Sequence, residues 1–285
     1  MTGGWHVEQL NTSLLCSLQR PLPDGIRLRL HWLGQAGFVV RGRSATVVID
    51  PYLSDSLATK YAGRRFPHTR MVEAPIDPRD LPSVDLVIVT HDHSDHMDPG
   101  TLPHLAAIHP AARFVVPARS VDIAISRGVP ADRILAAQAG ERIDAARGVV
   151  VHAVHAAHEK LDVNEDGSRF LGYVVDIERE RIYHSGDCVP HDTLRQELAP
   201  LRPTIALLPV NGRDDVRLDN GVPGNFHITE ALDLCKYLQV PALVPHHWGM
   251  FDFNTITPDS IEAIVITAQA PPSWYIPSLD SCVQV

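Results

Sequence analysis

The chain has 285 residues, of which 45% are apolar, and its net charge is −9 with histidine neutral. This length and composition allow a sizeable core, in one large domain or two small ones. The acidic balance argues against a nucleic-acid-binding protein, which normally presents a basic face. No run of about 18 apolar residues predicts a membrane span, and neither a signal peptide nor a C-x-x-C pair is recognisable. We therefore expect a reduced, cytoplasmic protein.

Short apolar runs alternate with helix-like stretches along the chain. The predicted strands are residues 26–32, 38–40, 46–49, 85–90, 114–116, 149–154, 171–177, 181–184, 205–210 and 243–245. Helix-like stretches lie at 119–127, 191–199 and 229–238, and Asp98 before Pro99 predicts a further helix start. Continuous apolar strands are typical of sheets covered on both faces, so the pattern indicates an α/β fold.

Two stretches have a different character. The first 24 residues are weakly patterned and predict an N-terminal arm or edge element. Residues 54–82 are polar and contain five prolines or glycines, as expected for a long loop that covers a functional site. Because no repeat or convincing linker separates these parts, we interpret residues 1–285 as a single domain.

The sequence His-Asp-His-Ser-Asp-His at residues 91–96 follows the apolar run 85–90 directly. Imidazoles and carboxylates are costly to gather beside a buried strand, and a bound cation would explain the cluster. If the strand extends through this motif, its two-residue period places His91 and His93 on one face, where both reach one metal. Asp95 and His96 would then face a second metal. Such ligands suit Zn²⁺, and also Mn²⁺ or Fe²⁺, and a metal pair can share a hydroxide.

Four further segments match one known family in their sequences and in their order along the chain. They are Trp-Leu-Gly-Gln-Ala-Gly-Phe at 32–38, Val-Val-Ile-Asp-Pro at 47–51, Tyr-His-Ser-Gly-Asp at 183–187 and Pro-His-His-Trp-Gly at 245–249. With the H-x-H-x-D-H motif, the chain resembles the metallo-β-lactamase fold superfamily over roughly residues 28–250. It is most similar to the ascorbate-6-phosphate lactonase-like branch, and also to N-acylphosphatidylethanolamine phospholipase D-like proteins. The resemblance implies an αββα four-layer sandwich, with two mixed β-sheets inside and helices outside.

The resemblance also implies a set of metal ligands for two divalent ions. His91, His93 and a histidine from a later strand would hold the first ion. Asp95, His96 and a C-terminal histidine would hold the second, and Asp187 would bridge both.

Two of these ligands have alternatives in the sequence. The later-strand histidine is one of His152, His155 and His158, and the related pattern favours His158. In the C-terminal pair, the family's His-Trp-Gly motif favours His247 as the ligand. His246 is then a supporting residue on the opposite side of the strand. Asp50, in the family's Ile-Asp-Pro position, is expected to support a ligand from behind.

Substrate contacts are less clearly signalled. The candidate substrate-binding residues are Arg64, Arg65, His68, Asn211 and Arg213, which offer cationic or polar groups to a phosphate or carboxylate. A solvated basic run is the competing interpretation for the first two. His227, just before a predicted helix, is a candidate acid/base residue by resemblance.

The function that the resemblance implies is hydrolysis by a metal-bridging hydroxide, with Asp95 orienting the water or accepting its proton. A lactonase acting on a small sugar-acid lactone, with or without a phosphate group, is the leading hypothesis. A phosphodiesterase acting on a phospholipid-like or small phosphodiester is the alternative. A non-catalytic metal-binding sensor is the hypothesis of another class, and a complete ligand set argues against it. The branch also implies a homo-oligomer.

Overall fold

Two large mixed β-sheets organise the computed structural model, which describes residues 5–285. Sheet 1 has the strand order β1-β17-β2-β3-β4-β5-β6-β7. Its strands are β1 (His6–Gln9), β2 (Leu28–Gly34), β3 (Gly37–Gly42), β4 (Thr46–Ile49), β5 (Leu86–Ile88), β6 (Arg113–Pro117), β7 (Ile134–Ala137) and β17 (Ser281–Gln284). Neighbours are antiparallel from β1 to β4 and parallel from β4 to β7.

Sheet 2 repeats this mixture with the order β16-β15-β14-β13-β12-β9-β8. Its strands are β8 (Arg142–Ala146), β9 (Val149–His155), β12 (Leu171–Ile177), β13 (Glu180–His184), β14 (Ile205–Pro209), β15 (Ala242–His246) and β16 (Ser273–Trp274). The pairs from β13 to β16 are parallel, and those from β8 to β13 are antiparallel. A separate two-stranded ribbon joins β10 (Val163–Asn164) to β11 (Gly167–Ser168).

Short helices cover the outer faces of the sheets. They are α1 (Leu14–Gln19), α2 (Ser56–Lys60), α3 (Leu102–Ile108), α4 (Val121–Ser126), α5 (Leu194–Leu198), α6 (Asp215–Asp219), α7 (Ile228–Leu238) and α8 (Pro258–Val265). Single 3₁₀ turns lie at Pro78–Asp80, Ala118–Ser120, Ala131–Arg133 and Ala199–Leu201. Among residues 5–285, no helix has the length and apolar character needed to cross a bilayer.

The alternation of side chains along the strands separates two hydrophobic layers. Phe38 and Val40 of β3 pack with Tyr173 of sheet 2 in the core between the sheets. Val39, which points the other way, packs with Leu105 of α3 in a second core outside sheet 1. On the far side, α7 packs on β15 and α8 packs on α7. The layers are therefore helix, sheet, sheet and helix, which confirms the predicted αββα sandwich.

Each predicted strand overlaps a strand of the structure, and each predicted helix-like stretch overlaps a helix. The elements without a sequence prediction are β1, β7, β8, β10, β11, β16, β17, α1, α2, α6 and α8. Of the predicted N-terminal arm, residues 1–4 lie outside the described residues. The rest forms β1 and α1, and β1 pairs with β17 at the edge of sheet 1.

The predicted helix start at Asp98 is wrong, because α3 begins at Leu102. The Asp98 carboxylate instead accepts hydrogen bonds from the hydroxyls of Ser54 at 2.8 Å, Ser56 at 2.7 Å and Thr101 at 2.6 Å. A buried carboxylate with several donors is well stabilised. It holds the start of α2 against the chain that follows the His-rich motif.

The core between the sheets should dominate stability. Leu207 on β14 is fully buried, whereas Leu218 on α6 is about half exposed. We expect Leu207→Ala to lower the free energy of unfolding by about 2–5 kcal/mol, through lost apolar contact and a residual cavity. The matched change Leu218→Ala should cost less than about 0.5 kcal/mol. Urea titrations of the two variants and the unsubstituted protein measure the difference, and equal effects would contradict this view of the core.

Candidate metal centre

The candidate metal centre lies at one edge of the sandwich, where segments that follow strands of both sheets meet. Asp50 follows β4, the motif 91–96 follows β5, His158 follows β9, Asp187 follows β13 and His247 follows β15. β4 and β5 are parallel, as are β13, β14 and β15. Carboxyl ends of parallel strands share one edge of a sheet, so the topology brings these distant positions together.

The His-rich motif lies on a turn, and the predicted extension of the strand through it is wrong. β5 ends at Ile88, and the backbone N–H groups of His96 and Met97 both donate to the carbonyl of His93, at 3.1 and 2.8 Å. The turn nevertheless gathers the side chains. The ring centroids of His91 and His93 are 4.5 Å apart.

A first group of ligand-type atoms comes from His91, His93, His158 and Asp187, and its members lie within 4.8 Å of one another. Of the three candidate histidines in the later segment, only His158 belongs to this group. His155 instead contacts Glu197, with 2.9 Å between Nδ1 and Oε1. His158 donates from Nδ1 to the carbonyl oxygen of Gly224 at 3.2 Å, which leaves its Nε2 free and 3.5 Å from Oδ2 of Asp187.

A second group comes from Asp95, His96 and His247. The Nε2 atoms of His96 and His247 lie 3.3 and 3.2 Å from Oδ1 of Asp187. Both Nε2 atoms are also 3.7 Å from Oδ2 of Asp95. Since His158 faces the other oxygen of Asp187, this carboxylate lies between the two groups, where a bridging ligand is expected.

Several atoms of the two groups are buried and unsatisfied. Within the described part of the chain, Nε2 of His91, Nε2 of His96 and Oδ1 of Asp187 have no hydrogen-bond partner. An unpaired buried polar atom costs free energy, so such atoms are rarely left in one place without a ligand. Imidazole nitrogens and carboxylate oxygens that converge in this way fit a divalent ion such as Zn²⁺, Mn²⁺ or Fe²⁺.

The pKa values of the histidines differ between the two ligand groups. Burial lowers the pKa of His91 well below its usual value and that of His158 to about 4, so both imidazoles are neutral, as metal ligands must be. Burial opposes the charged form of His96 and His247 as well. The carboxylate of Asp187, with other nearby carboxylates, nevertheless raises the pKa of His96 well above its usual value and that of His247 to about 9. A cation between these groups would replace the proton that each imidazole otherwise keeps.

The carboxylates remain ionised. Burial acts to raise the pKa of Asp95 and of Asp187, but the neighbouring histidines lower both below the usual range. The site therefore presents two negative charges to an incoming cation.

Asp50 contacts His96 on its Nδ1 side, away from the second ligand group. His96 donates from Nδ1 to Oδ2 of Asp50 at 2.6 Å. The Thr90 hydroxyl also donates to Oδ2 at 2.6 Å, and the Thr90 backbone N–H donates to Oδ1 at 2.8 Å. These contacts fix the tautomer and the ring plane of His96, so that Nε2 faces the second group.

A close backbone approach places Asp187. Gly186 has φ +60°, and a Cβ atom there would lie 2.6 Å from Cβ of Thr90. Glycine therefore lets the turn before Asp187 contact the residue before the motif. His246 does not reach the two ligand groups. It stacks on His184 with ring centroids 4.7 Å apart, and Nδ1 of His184 accepts the N–H of Gly186, so His246 supports this turn only indirectly.

An open cleft of about 970 Å³ lies over the two groups. The predicted substrate residues Arg64, Arg65 and His68 line it. So do three cations without a sequence prediction, Lys60, Arg127 and Arg169. These three come from separate segments, and no local pattern connects them to the motif. Apart from the two ligand groups, the charged lining residues are five cations and Asp92, although the whole chain has a net charge of −9.

The other predicted substrate residues, Asn211 and Arg213, and the acid/base candidate His227 are not among the residues that line the cleft. Arg213 forms a two-pronged ion pair with Glu230, at 2.6 and 2.7 Å. Asn211 is buried and donates to Asn254 at 2.7 Å. His227 is exposed at the start of α7. The side chains of Arg213 and Asn211 are thus held by Glu230 and Asn254, while the backbone of the same segment reaches the site, since the carbonyl oxygen of Gly224 accepts from His158.

The support of His96 by Asp50 gives a test. Asp50 has φ +43°, a conformation that asparagine tolerates, so Asp50→Asn should preserve the backbone. We expect it to weaken metal binding about 10–100-fold, because the charged acceptor behind His96 is lost. Competition with a chromophoric chelator measures the affinity. Asp176→Asn, on β12 and beside Arg181, is the control, and an unchanged affinity in Asp50→Asn would contradict the proposed support.

Comparison with known proteins agrees with this geometry. A model of the β-lactamase superfamily domain matches residues 45–248. A metal-dependent hydrolase from Myxococcus xanthus is 27% identical over 247 residues, which cover 82% of this chain and 75% of the relative. The N-acyl-phosphatidylethanolamine-hydrolyzing phospholipase D 1 of Caenorhabditis elegans is 24% identical over 239 residues, which cover 79% of this chain and 64% of that protein.

Solved structures show the same fold. An isothiocyanate hydrolase from Delia radicum gut bacteria has a TM-score of 0.71 at 21% identity, with 89% of this chain and 97% of that chain covered. A metallo hydrolase from Ignicoccus hospitalis has a TM-score of 0.65 at 21% identity, with 90% and 98% covered. Together with the two groups of histidines and aspartates, these matches show that the chain belongs to the metallo-β-lactamase superfamily and is a metal-dependent hydrolase.

Proposed function

We propose that this hydrolase holds two divalent ions and cleaves a lactone or similar ester in a small anionic substrate. The observation that carries the proposal is the position of Asp187, whose two oxygens face different groups of imidazoles. His91, His93 and His158 would hold one ion, and Asp95, His96 and His247 the other. When bound, such a pair lowers the pKa of water and stabilises negative charge on the oxygens of the reacting group.

Asp95 is the residue that we assign to orient the attacking water and accept its proton. It lines the cleft, whereas His96 beside it is fully buried. The neighbouring histidines lower its pKa, so the side chain is an ionised acceptor at neutral pH. We assign no acid/base role to His227, because it lies outside the cleft lining.

The cations of the cleft support an anionic substrate. Arg65 donates to Oδ1 of Asn220 at 2.9 Å, and Arg127 donates to the carbonyl oxygens of Asp92 and Met97 at 2.9 and 2.6 Å. Neither contact is with a carboxylate, so both guanidinium charges can serve a phosphate or carboxylate group. Arg64 is exposed on the same lining.

The aromatic surface and the volume of the cleft support a phosphodiester as the second candidate substrate. Tyr61 stacks on His68 with ring centroids 4.2 Å apart, and Phe66 stacks on Phe253 at 4.6 Å. Together with the volume of about 970 Å³, this aromatic surface supports a substrate with an apolar part. The C. elegans relative, named as a phospholipase D, favours the same candidate.

A substrate panel separates the candidates. The protein should be reconstituted separately with Zn²⁺, Mn²⁺ and Fe²⁺ and assayed on phosphorylated and neutral lactones and on bis-p-nitrophenyl phosphate. Faster turnover of lactones supports the lactonase, and faster turnover of the phosphate diester supports the phosphodiesterase. A metal-loaded protein that is inert on the whole panel would contradict both and favour a sensor.

The two-ion arrangement predicts a large loss of activity in Asp187→Ala and in His91→Ala. Each removes a ligand that is buried among the others, and we expect turnover of the best panel substrate to fall by at least about 10³-fold, since a metal-assisted step is lost. The control is Asp176→Ala, on a strand of the same sheet. Steady-state kinetics at saturating metal measures the effect, and full activity of Asp187→Ala would overturn the mechanism.

The anion-binding role of the cleft predicts a change in KM. Arg64→Gln removes one charge from the lining, so we expect KM for a phosphorylated lactone to rise about tenfold, which corresponds to one lost charge-assisted hydrogen bond. KM for a neutral lactone should stay the same. Arg43→Gln, in the turn between β3 and β4, is the control. Equal KM changes for charged and neutral substrates would argue against anion recognition by Arg64.

A further inference from the structure

Gln35 stands beside the second ligand group in a way that the metal-dependent reaction does not yet explain. We propose that its side-chain amide oxygen is a ligand of the second ion and makes that site favour Mn²⁺ more than the first site does. The proposal rests on the two-ion arrangement of the proposed function and adds a ligand to it.

The backbone of Gln35 is fixed against the metal centre. The residue is fully buried in the turn between β2 and β3 and has φ +51°. Its carbonyl oxygen accepts the backbone N–H of His247 at 2.9 Å and Nε1–H of Trp32 at 3.0 Å. These two hydrogen bonds hold the turn of sheet 1 to the end of β15, so the backbone from which the Gln35 side chain extends is fixed.

The end of the side chain lies at ligand spacing from two members of the second group. Nε2 of Gln35 is 2.9 Å from Oδ2 of Asp95 and 3.0 Å from Nε2 of His247. Adjacent ligands of an octahedral ion with bonds of about 2.1 Å are separated by about 3.0 Å. The spacing of the amide therefore fits a neighbouring ligand as well as it fits a hydrogen bond.

The other end of the amide is unsatisfied. Within residues 5–285, Oε1 of Gln35 is buried and has no hydrogen-bond partner. The two ends of a glutamine amide have nearly the same shape, so a half-turn of the amide exchanges them without repacking. An ion held by Asp95 and His247 would draw the oxygen toward itself, because only the oxygen can coordinate a cation.

This ligand would make the two sites chemically different. The first group offers three imidazoles and one oxygen of Asp187, a set of four that suits tetrahedral Zn²⁺. The second offers two imidazoles, Asp95, the other oxygen of Asp187 and the amide of Gln35. Oxygen ligands and a higher coordination number suit Mn²⁺ better.

A competing role for Gln35 is to donate a hydrogen bond to Asp95 without touching the ion, and two substitutions separate the roles. Gln35→Asn tolerates the positive φ but is one methylene shorter, so its amide falls short of the ion. Gln35→Glu keeps the reach and offers an oxygen, yet it cannot donate to Asp95 when ionised. A ligand role predicts that only the asparagine variant loses affinity, whereas a donor role predicts that both do.

The experiment measures metal content and Mn²⁺ affinity, and needs no substrate. Metal-free protein is dialysed against equal Zn²⁺ and Mn²⁺, and bound metals are counted by elemental analysis. Free Mn²⁺ is then titrated by electron paramagnetic resonance on protein that already holds one Zn²⁺. We expect Gln35→Asn to weaken Mn²⁺ binding about 10–100-fold, and Gln35→Glu to bind at least as tightly as the unsubstituted protein. Gln138→Asn, at an exposed position, is the control.

The outcomes are distinguishable from failure of the proposed function. If the unsubstituted protein binds only one ion, the two-ion arrangement itself is wrong. If it binds two and Gln35→Asn binds Mn²⁺ equally well, or Gln35→Glu loses as much affinity as Gln35→Asn, only the ligand role of Gln35 is overturned. Thermal melting in chelator shows whether each variant is folded before metal is added.

Discussion

The carboxylate of Asp187 lies between two sets of imidazoles, and the rest of the site depends on that position. Its oxygens approach His158 on one side and His96 and His247 on the other. Without a metal ion, protons on His96 and His247 balance the buried carboxylates, and several imidazole and carboxylate atoms still have no hydrogen-bond partner. Such a gathering is expensive in a low-dielectric interior unless a bound charge balances it. The sheets supply the stability that keeps these groups together, and a metal supplies the balance.

The backbone of the metal centre also adopts conformations that cost stability. Gln35, Asp50 and His247 all have positive φ values, of 51°, 43° and 62°, and none of them is glycine. All three are buried where a strand ends and the chain turns toward the site. Such conformations cost free energy and persist only where the surrounding structure enforces them. Here the enforcing structure is the pair of sheets, whose register fixes both ends of each turn.

Parts of this site could be predicted from the sequence because they depend on short, local sequence motifs. The H-x-H-x-D-H motif brings four side chains together within six residues, whatever the rest of the fold does. The short motifs around Asp187 and His247 predict these two residues, and the pattern of the related family favours His158 among three histidines. The structure places all of them in the two ligand groups. Their role as ligands remains a prediction that the metal-binding experiments address.

Other parts could not be predicted because they depend on partners distant in sequence. In the sequence Arg213 is a candidate anion ligand, but in the structure it pairs with Glu230 on α7, beyond α6. Arg127 and Arg169 belong to separate elements and meet only at the cleft. The edge strand β1 and its neighbour β17 could not be predicted either, because each is four residues long and the two pair from opposite ends of the chain. Tertiary pairing decides these cases, and no window of sequence contains both partners.

The charge of the cleft has a consequence for turnover if the substrate is an anionic lactone or ester. Hydrolysis of a carboxylic ester adds one carboxylate, so the product is more negative than the substrate. Five cations line the cleft against the carboxylate of Asp92, and a bound metal pair adds positive charge. The same field that draws an anion into an acidic protein therefore holds the product more strongly than the substrate. Product release, rather than bond cleavage, would then limit the rate, as it does in many enzymes. The cations that line the cleft, rather than the metal ligands, would set that limit.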